Sequence, residues 1–316
     1  MSRQRIAIAL CLFSCVLAFV PAAHAKTLLV CPSCVYTTIQ SAVNAANPGD
    51  IVSAQAGTYY ENVIVSTPNI TLKGQKPIGS VLLDCPSNGN GVGIAILSTG
   101  VTVKGFEVED CLIGIEATLN PEGVVILAER LVPGKTRLPN SAKPKVTAED
   151  DQNALITDNT FEENLLGVFL VETADCVVTG NDFFSNDEAI VTDYTFTDVI
   201  AGNTVEGISD DDAGIGINYG NQESVKGNNV RYSGYAGIYL YGTVGSSVSG
   251  NRTTRNAVGL WAETGSAGNT FSKNTSDANQ YWDCEDDTLG SGTAGTADKW
   301  TSNHGDTSQP PGLCKH

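Results

Sequence analysis

A repeat with a period of about 22 residues, typical in length of solenoid units, restricts the fold of this chain more than any other feature. It runs through the C-terminal half of the chain, and each copy carries an asparagine between short apolar runs. These are Asn159, Asn181, Asn203, Asn228, Asn251 and Asn274, whose positions differ by 22, 22, 25, 23 and 23. Such a fixed period indicates a solenoid, in which each repeat forms one turn, here called a rung.

Each repeat divides into three short runs, such as Val177-Val178, Phe183-Phe184 and Ala189-Ile190-Val191, separated by Asn, Gly, Asp or Ser. These runs are too short for helices, and turn residues separate them. Three strands per rung, stacked in register, predict an all-β, single-domain parallel β-helix with three sheets. We interpret the repeated asparagines as structural, because stacked side-chain amides can hydrogen-bond along the solenoid axis.

A solenoid has open apolar ends that need covering. Near the N-terminus, Ile39, Val43 and Ala46 share one helical face and Pro48 follows, which predicts a helical cap. At the other end, residues 284–316 are expected to form a cap closed by a disulfide. Residues 119–152 interrupt the repeat and predict an inserted surface loop.

Residues 1–25 have the features of a signal peptide. Arg3 and Arg5 precede an apolar run, and Ala23-His24-Ala25 forms a small-residue cleavage site. Export to the periplasm or the extracellular space is therefore expected, with no membrane insertion of the mature chain. The formal net charge of −17 disfavours nucleic acid and anionic lipid as partners, and a polyanion would need bridging cations.

Nine cysteines are present, and seven follow the predicted leader. An exported chain can form disulfides. We expect three pairs and one free interior thiol, although spacing alone does not determine connectivity. The expected pairs are Cys31 with Cys34, Cys85 with Cys111, and Cys284 with Cys314, leaving Cys176 free. A redox role for the first pair is disfavoured because no βαβ pattern surrounds it.

The stretches TIQSAVNAANPGD, AGTYYENVIV and NITLKG resemble the opening of pectate-lyase-like right-handed β-helix proteins. The later GN-containing repeats are similar to the carbohydrate-binding and sugar-hydrolase repeats of that superfamily, including NosD-like periplasmic proteins. The resemblance covers residues 36–283. It implies a right-handed helix, with a cap and first rung in 26–66 and the β-helix in 67–283. It also implies frequent action on uronic-acid polysaccharides, although one fold hosts many functions.

The catalytic motifs of this superfamily are not found in the chain. The Gly-His-Gly and Arg-Ile-Lys motifs of polygalacturonases and the Asp-Pro-His motif of alginate epimerases are missing. After the leader, histidine occurs only at His304 and His316, so a catalytic histidine in the repeats is excluded. We assign no catalytic base. The basic candidates are Lys226, Arg231, Arg252 and Arg255 in the repeats, and Arg130, Lys135, Arg137, Lys143 and Lys145 in the insertion.

Aligned rungs predict a substrate-binding face on one sheet. The aliphatic residues Val168, Ile190, Ile215, Ile238 and Leu260 stack as core, so the next residue of each strand points outward. Aromatic rings beside carboxylates and amides suit sugars, although exposed rings also simply suit strands. The predicted binding residues are Asp193, Asn218, Tyr219, Tyr239, Tyr241, Trp261 and Glu263.

The stretch SDDDAG enlarges one turn of the repeat. The segment from Asn203 to the next strand start, Gly214, is two or three positions longer than its counterparts in other rungs. Its three carboxylates, Asp210, Asp211 and Asp212, could hold Ca²⁺, which prefers oxygen ligands. The alternative is a solvated acidic turn, since adjacent like charges are typical of exposed loops.

Two function classes follow from these observations. The first is an exported, monomeric protein that acts on polysaccharide, as a cation-assisted lyase on acidic glycans in which Ca²⁺ would acidify the sugar proton next to the carboxylate. The second is a non-catalytic carbohydrate-binding or surface protein. A NosD-like periplasmic maturation factor is a further alternative.

Overall fold

The fold was analysed in a computed structural model that describes residues 24–86, 91–118, 152–209 and 211–315. The predicted leader up to residue 23, the predicted insertion up to residue 151, and Asp210 lie outside these residues. From Ile51–Ala54 to Trp282–Asp286, the described strands follow one another through three parallel sheets in a fixed order. The predicted all-β solenoid is therefore confirmed.

Sheet one has eleven strands and carries the repeated asparagine at its end. Its strands are Thr27–Val30, Ile51–Ala54, Thr71–Gly74, Thr102–Lys104, Leu155–Thr157, Val177–Thr179, Val199–Ala201, Ser224–Lys226, Ser247–Ser249, Thr270–Ser272 and Lys299–Thr301. Sheet two has nine strands. They are Gly57–Tyr60, Val81–Asp84, Glu107–Glu109, Thr160–Glu162, Asp182–Phe184, Thr204–Ile208, Asn229–Ser233, Arg252–Thr254 and Thr275–Asp277.

Sheet three has ten strands and completes each rung. They are Val63–Val65, Val92–Ile96, Ile113–Ala117, Leu166–Val171, Glu188–Asp193, Ile215–Asn218, Ala236–Tyr241, Val258–Ala262, Trp282–Asp286 and Ser308–Gln309. All pairings are parallel, with equivalent residues of successive rungs side by side, such as Ile190 with Ile215 and Ile215 with Ile238. One position of the sequence repeat therefore becomes one column of side chains along the axis.

The repeated asparagines form a buried hydrogen-bonded column between sheets one and two. Asn203 Nδ2 donates to Asn228 Oδ1 at 3.0 Å, and Asn228 Nδ2 donates to Asn251 Oδ1 at 3.0 Å. The same pattern continues to Asn303, beyond the six asparagines of the sequence repeat. The structural interpretation of these asparagines is confirmed, since their amides also satisfy backbone groups that the turns would otherwise bury unpaired.

Both ends of the coil are covered. The α-helix Ile39–Ala45 buries Ile39, Ala42 and Val43 on the first rung, and the Thr38 side chain caps its first turn. At the other end, Trp300 stacks on Phe271 with ring centroids 3.9 Å apart. The predicted C-terminal tail thus adds strands to sheets one and three rather than only lying across the end. No helix in the described residues has the length and apolar character to cross a membrane.

The three expected disulfides are present. Cys31 bonds to Cys34, Cys85 to Cys111, and Cys284 to Cys314. Cys176 is free and buried, as expected. Burial raises the pKa of its thiol well above the usual range, as is typical of a structural rather than a reactive cysteine.

Candidate functional site

Five of the predicted binding residues lie on the strands of sheet three, and Tyr219 and Glu263 directly follow two of these strands. Val168, Ile190 and Ile215 are completely buried in the core, as expected, so the residues that follow them point outward. On successive strands of sheet three, Gly216 pairs with Tyr239, and Tyr239 pairs with Trp261. In the same way, Asn218 pairs with Tyr241. The alternation of the strands therefore places the predicted residues together, although their role stays a prediction.

Six aromatic rings on this side of the molecule form a continuous network. Tyr194 and Tyr219 stack with centroids 4.7 Å apart, and Tyr219 meets Tyr241 at 5.2 Å. Tyr239 lies 6.5 Å from Tyr241 and 5.3 Å from Trp261. Tyr235 packs on Tyr239 and Trp261 at 5.5 and 5.0 Å. We call these six residues the aromatic face.

The predicted residues differ in how much surface they expose. Asp193 and Tyr239 are only 6% and 9% exposed. Asn218, Tyr219, Tyr241, Trp261 and Glu263 are partly exposed. A ligand would therefore contact the edges of a packed ring cluster rather than isolated rings.

Sequence alignment of the rungs missed two members of the aromatic face, Tyr194 and Tyr235. Each lies one residue outside a strand of sheet three, where the alternation rule no longer fixes the direction of the side chain. Tyr194 adopts a left-handed backbone conformation with φ 54°, and so does Tyr219 with φ 52°. Equivalent turns thus place the two rings one above the other. The available signal was the matching Asp-Tyr and Asn-Tyr pairs at the ends of consecutive strands.

Several carboxyl groups on the outer side of sheet three hold protons near neutral pH. Burial, together with the nearby Glu172 charge, raises the pKa of Asp193 to about 7. Burial raises the pKa of Glu116 to about 7 as well. Burial and the neighbouring Asp287 raise the pKa of Glu285 to about 7. These groups can donate or accept hydrogen bonds near neutral pH, because a small change of pH alters their protonation.

Glu188 is a further carboxyl group that the sequence alignment did not select. It starts the strand that ends at Asp193, and its Oε1 fills the space above Gly216. Burial, and then the charge of Asp212, raise the pKa of Glu188 well above the usual range. A Cβ atom at position 216 would lie 2.7 Å from this oxygen, so a larger residue there would require the Glu188 carboxyl to shift.

The acidic turn borders the aromatic face. The Asp212 carbonyl accepts a hydrogen bond from the Tyr235 backbone N–H at 3.2 Å, and Ser209 donates to the Asp212 carboxylate at 3.4 Å. Burial raises the pKa of Asp212, and the charges of Asp187 and Asp211 act in the same direction. Asp210 lies outside the described residues, so a site formed by all three aspartates stays a prediction.

Among the described residues, the group of acidic side chains close enough to share a cation lies elsewhere. Glu107, Glu109 and Glu162 meet on the outer side of sheet two, with ligand atoms within 4.8 Å of one another. Burial raises the pKa of Glu107 and Glu109, and neighbouring carboxylates raise it further. Exposed acidic groups of this kind are common without an ion.

Two of the basic residues predicted as candidates for a catalytic base contact carboxylates, and a third lies elsewhere. Arg231 contacts Glu206 at 2.6 Å, and Arg252 lies 3.9 Å from Asp277, both on sheet two. Arg255 lies at the corner between sheets two and three, beside the aromatic face. The basic residues of the insertion lie outside the described residues.

Comparisons with known structures place this architecture. An alginate lyase from Paenibacillus sp. str. FPU-7 superimposes with a TM-score of 0.58 at 15% identity, covering 90% of this chain and 96% of that one. A DFA-IIIase from Arthrobacter chlorophenolicus A6 gives a TM-score of 0.56 at 12% identity, covering 85% of this chain and 77% of that one. The chain has the fold of a right-handed parallel β-helix. At this level of identity the likeness establishes the fold of the β-helix and not its activity.

Comparison by sequence covers less of the chain than comparison by structure. A family model described as periplasmic copper-binding protein (NosD) matches residues 136–288 of the chain. No curated protein matches the chain. The residues of the site itself are therefore the basis for its chemistry.

Proposed function

We propose that the aromatic face binds a polysaccharide and that the β-helix is an exported glycan-binding or glycan-processing protein. The observation that carries the proposal is the ring network from Tyr194 to Trp261, which crosses several rungs in the direction of the axis. Sugar rings present apolar faces that pack on aromatic rings, and their hydroxyl groups hydrogen-bond to carboxyl groups. A row of such contacts suits a chain of sugars better than one small ligand.

The carboxyl groups support a sugar ligand in a second way. At neutral pH, Asp193 and Glu285 are partly protonated, so each can donate as well as accept a hydrogen bond. Sugar hydroxyl groups also donate and accept hydrogen bonds, so they are complementary to these carboxyl groups. Partial protonation also lowers the local negative charge that would repel an acidic glycan.

The narrower hypothesis is a cation-assisted lyase that acts on acidic glycans. It needs a cation at the uronate and a base for the sugar proton. Asp211 and Asp212 beside Tyr235 are the cation candidates on this side of the molecule. The base is unassigned, so lyase activity is a consequence to be tested rather than a premise of glycan binding.

A copper-related role of the kind named for the matched family fits the residues poorly. Copper sites use imidazole, thiolate and thioether ligands. The sequence contains three histidines and one methionine, the first residue. Of these histidines, His304 contacts Asp277 at 3.2 Å, and the one free described cysteine is buried. The described residues do not assemble a copper donor set.

Binding measurements test the proposal directly. The chain from residue 26 is titrated with pectate, alginate and neutral polysaccharides by calorimetry, with and without Ca²⁺. Trp261→Ala should weaken binding at least tenfold, since ring stacking contributes about 1 kcal/mol or more beyond area burial. Tyr60→Ala is the matched control, because Tyr60 is 69% exposed on the distant sheet two.

The outcomes separate the hypotheses. Binding that Trp261→Ala weakens and Tyr60→Ala leaves unchanged supports the proposal. Release of unsaturated uronate, measured by ultraviolet absorbance and lost on chelation, additionally supports the lyase. Binding without product supports a binding protein, and lack of binding across the whole panel contradicts both.

A further inference from the structure

A groove of about 360 Å³ runs along the corner between sheets two and three, beside the aromatic face. Three successive rungs line it with equivalent positions. One column consists of Tyr232, Arg255 and Ala278, which share the left-handed conformation with φ 60°, 58° and 56°. The second column consists of Gly234, Ala257 and Gln280. The small residues of these columns leave room beside the arginine.

Arg255 differs from the other arginines of the described residues. Arg231 and Arg252 each face a carboxylate of a neighbouring rung, at 2.6 and 3.9 Å. Arg255 instead donates from Nη1 to the Tyr232 hydroxyl at 2.6 Å, and its guanidinium carbon lies 5.6 Å from the centre of that ring. Of the three arginines in the described residues, Arg255 is therefore the one with no carboxylate partner among them.

The Tyr232 contact orients the guanidinium while leaving donors available. Nη1 is held by the hydroxyl, so the opposite edge, formed by Nε and Nη2, has no hydrogen-bond partner among the described residues. This edge carries two parallel N–H groups, which match the two oxygens of a planar carboxylate. On the following rung, Ala278 presents only a methyl group to the groove.

The groove is continuous with the aromatic face along the chain. Gly234 directly precedes Tyr235, which packs on Tyr239 and Trp261. Gln280 precedes Tyr281, which is 61% exposed and leads into sheet three. A sugar resting against Tyr235 can therefore direct a substituent toward the corner occupied by Arg255.

We propose that the Arg255 groove is a carboxylate-binding subsite that recognises a uronic-acid residue of the glycan bound on the aromatic face. This inference rests on the proposed function and adds the class of sugar and the residue that selects it. Arg255 binds the carboxylate through the Nε and Nη2 edge, Tyr232 fixes the guanidinium, and Gln280 offers an amide to the sugar hydroxyls.

A matched pair of ligands isolates the carboxylate. Galacturonate oligomers and their fully methyl-esterified forms have the same length and sugar rings, and only the acid carries the charge. Calorimetry at constant pH and salt gives both affinities for the original chain, Arg255→Gln, Arg255→Lys and Arg252→Gln. Arg252→Gln is the control, since it removes an equal charge from a nearby exposed arginine that already contacts Asp277.

We expect the original chain to bind the acid at least tenfold more tightly than the ester, as charge-assisted hydrogen bonds suggest. Arg255→Gln should abolish this preference while leaving ester affinity unchanged within about twofold, and Arg255→Lys should restore only part of it, because lysine cannot bind bidentately. Arg252→Gln should keep the preference.

Equal affinity for acid and ester, or an acid preference that survives Arg255→Gln, overturns the subsite but leaves glycan binding intact. If neither form binds and neutral polysaccharides also fail, the proposed function falls and the subsite falls with it. Circular dichroism and melting temperature confirm that each variant is folded, so loss of the preference cannot come from unfolding.

Discussion

The indole N–H of Trp261 donates a hydrogen bond to Asp287 Oδ2 at 3.0 Å, linking two adjacent rungs on the outer side of sheet three. In the same pair of strands, Trp261 lies in register with Glu285. The indole of Trp261 is thus held in place by one carboxylate, while a second carboxyl group lies beside the ring. Orientation of this ring should affect binding more than its area alone.

Asp287→Ala is expected to reduce glycan affinity about three- to tenfold without removing any ring, because Trp261 loses the bond that fixes its indole. Asp287→Asn keeps an acceptor and should retain most of the affinity. Titration with the best-binding polysaccharide checks this, together with tryptophan fluorescence anisotropy. Equal binding by all three proteins would show that orientation of the indole is unimportant.

The buried carboxyl groups predict that stability falls as pH rises. The folded-state pKa of Glu116 is about 7, above its ordinary value of 4.5, so the folded chain holds this proton more tightly than the unfolded chain. The resulting stability is complete below pH 4.5 and is lost as pH rises through about 7. Asp193 acts in the same direction.

The melting temperature should therefore decrease between pH 5 and pH 8, and Glu116→Gln should reduce that decrease. The contribution of Glu116 is on the order of 3 kcal/mol at full ionisation. Glu163→Gln, at an exposed turn, serves as the control. A pH profile identical for the original chain and Glu116→Gln would contradict the assignment.

The asparagine column predicts a large effect from a single amide. Asn228→Ala removes the acceptor for both the backbone N–H and the side-chain amide of Asn203, and the donor to the Ile200 carbonyl. Unfolding free energy should fall by about 2–4 kcal/mol, because buried groups lose their partners. The adjacent Asn229→Ala, on the outer side of its strand, should change it by less than about 0.5 kcal/mol. Urea unfolding of the two variants compares them, and equal midpoints would refute a stabilising role.

Thiol counting tests the cysteine arrangement. For the chain from residue 26, a thiol-reactive dye should label no cysteine in the folded state, because Cys176 is 1% exposed. In denaturant without reductant it should label one cysteine per chain, and peptide mapping should identify Cys176. Three or more labelled thiols would mean that an expected disulfide does not form.

The cation hypothesis for Asp210, Asp211 and Asp212 predicts a calcium-dependent melting temperature. Millimolar Ca²⁺ should stabilise the original chain, and Asp210→Ala combined with Asp212→Ala should abolish the effect. Asp158→Ala combined with Asp182→Ala removes the same charge from exposed positions and serves as the control. An unchanged calcium response in the first double variant would leave only a solvated turn.

The sequence predicted the parts of the molecule that repeat. Asn203 and Ile215 recur at fixed intervals, so their columns follow from the period alone. The site was less predictable, because Tyr235 and Arg255 lie at corners where side-chain direction depends on turn geometry. The burial of Asp193 depends on the packing around its strand, and the sequence of that strand alone does not carry that information.

The column through Asn203, Asn228 and Asn251 holds its register although the rungs it joins contain 25 and 23 residues. The extra residues of a longer rung thus lie in the turns between strands, and the stacking of the strands does not change. The β-helix is therefore modular. Inserting one more copy of a rung would move Trp261 about 4.8 Å farther from Tyr194 while every asparagine kept a partner. The reach of the binding surface could thus be lengthened in discrete steps, by gene duplication or by design.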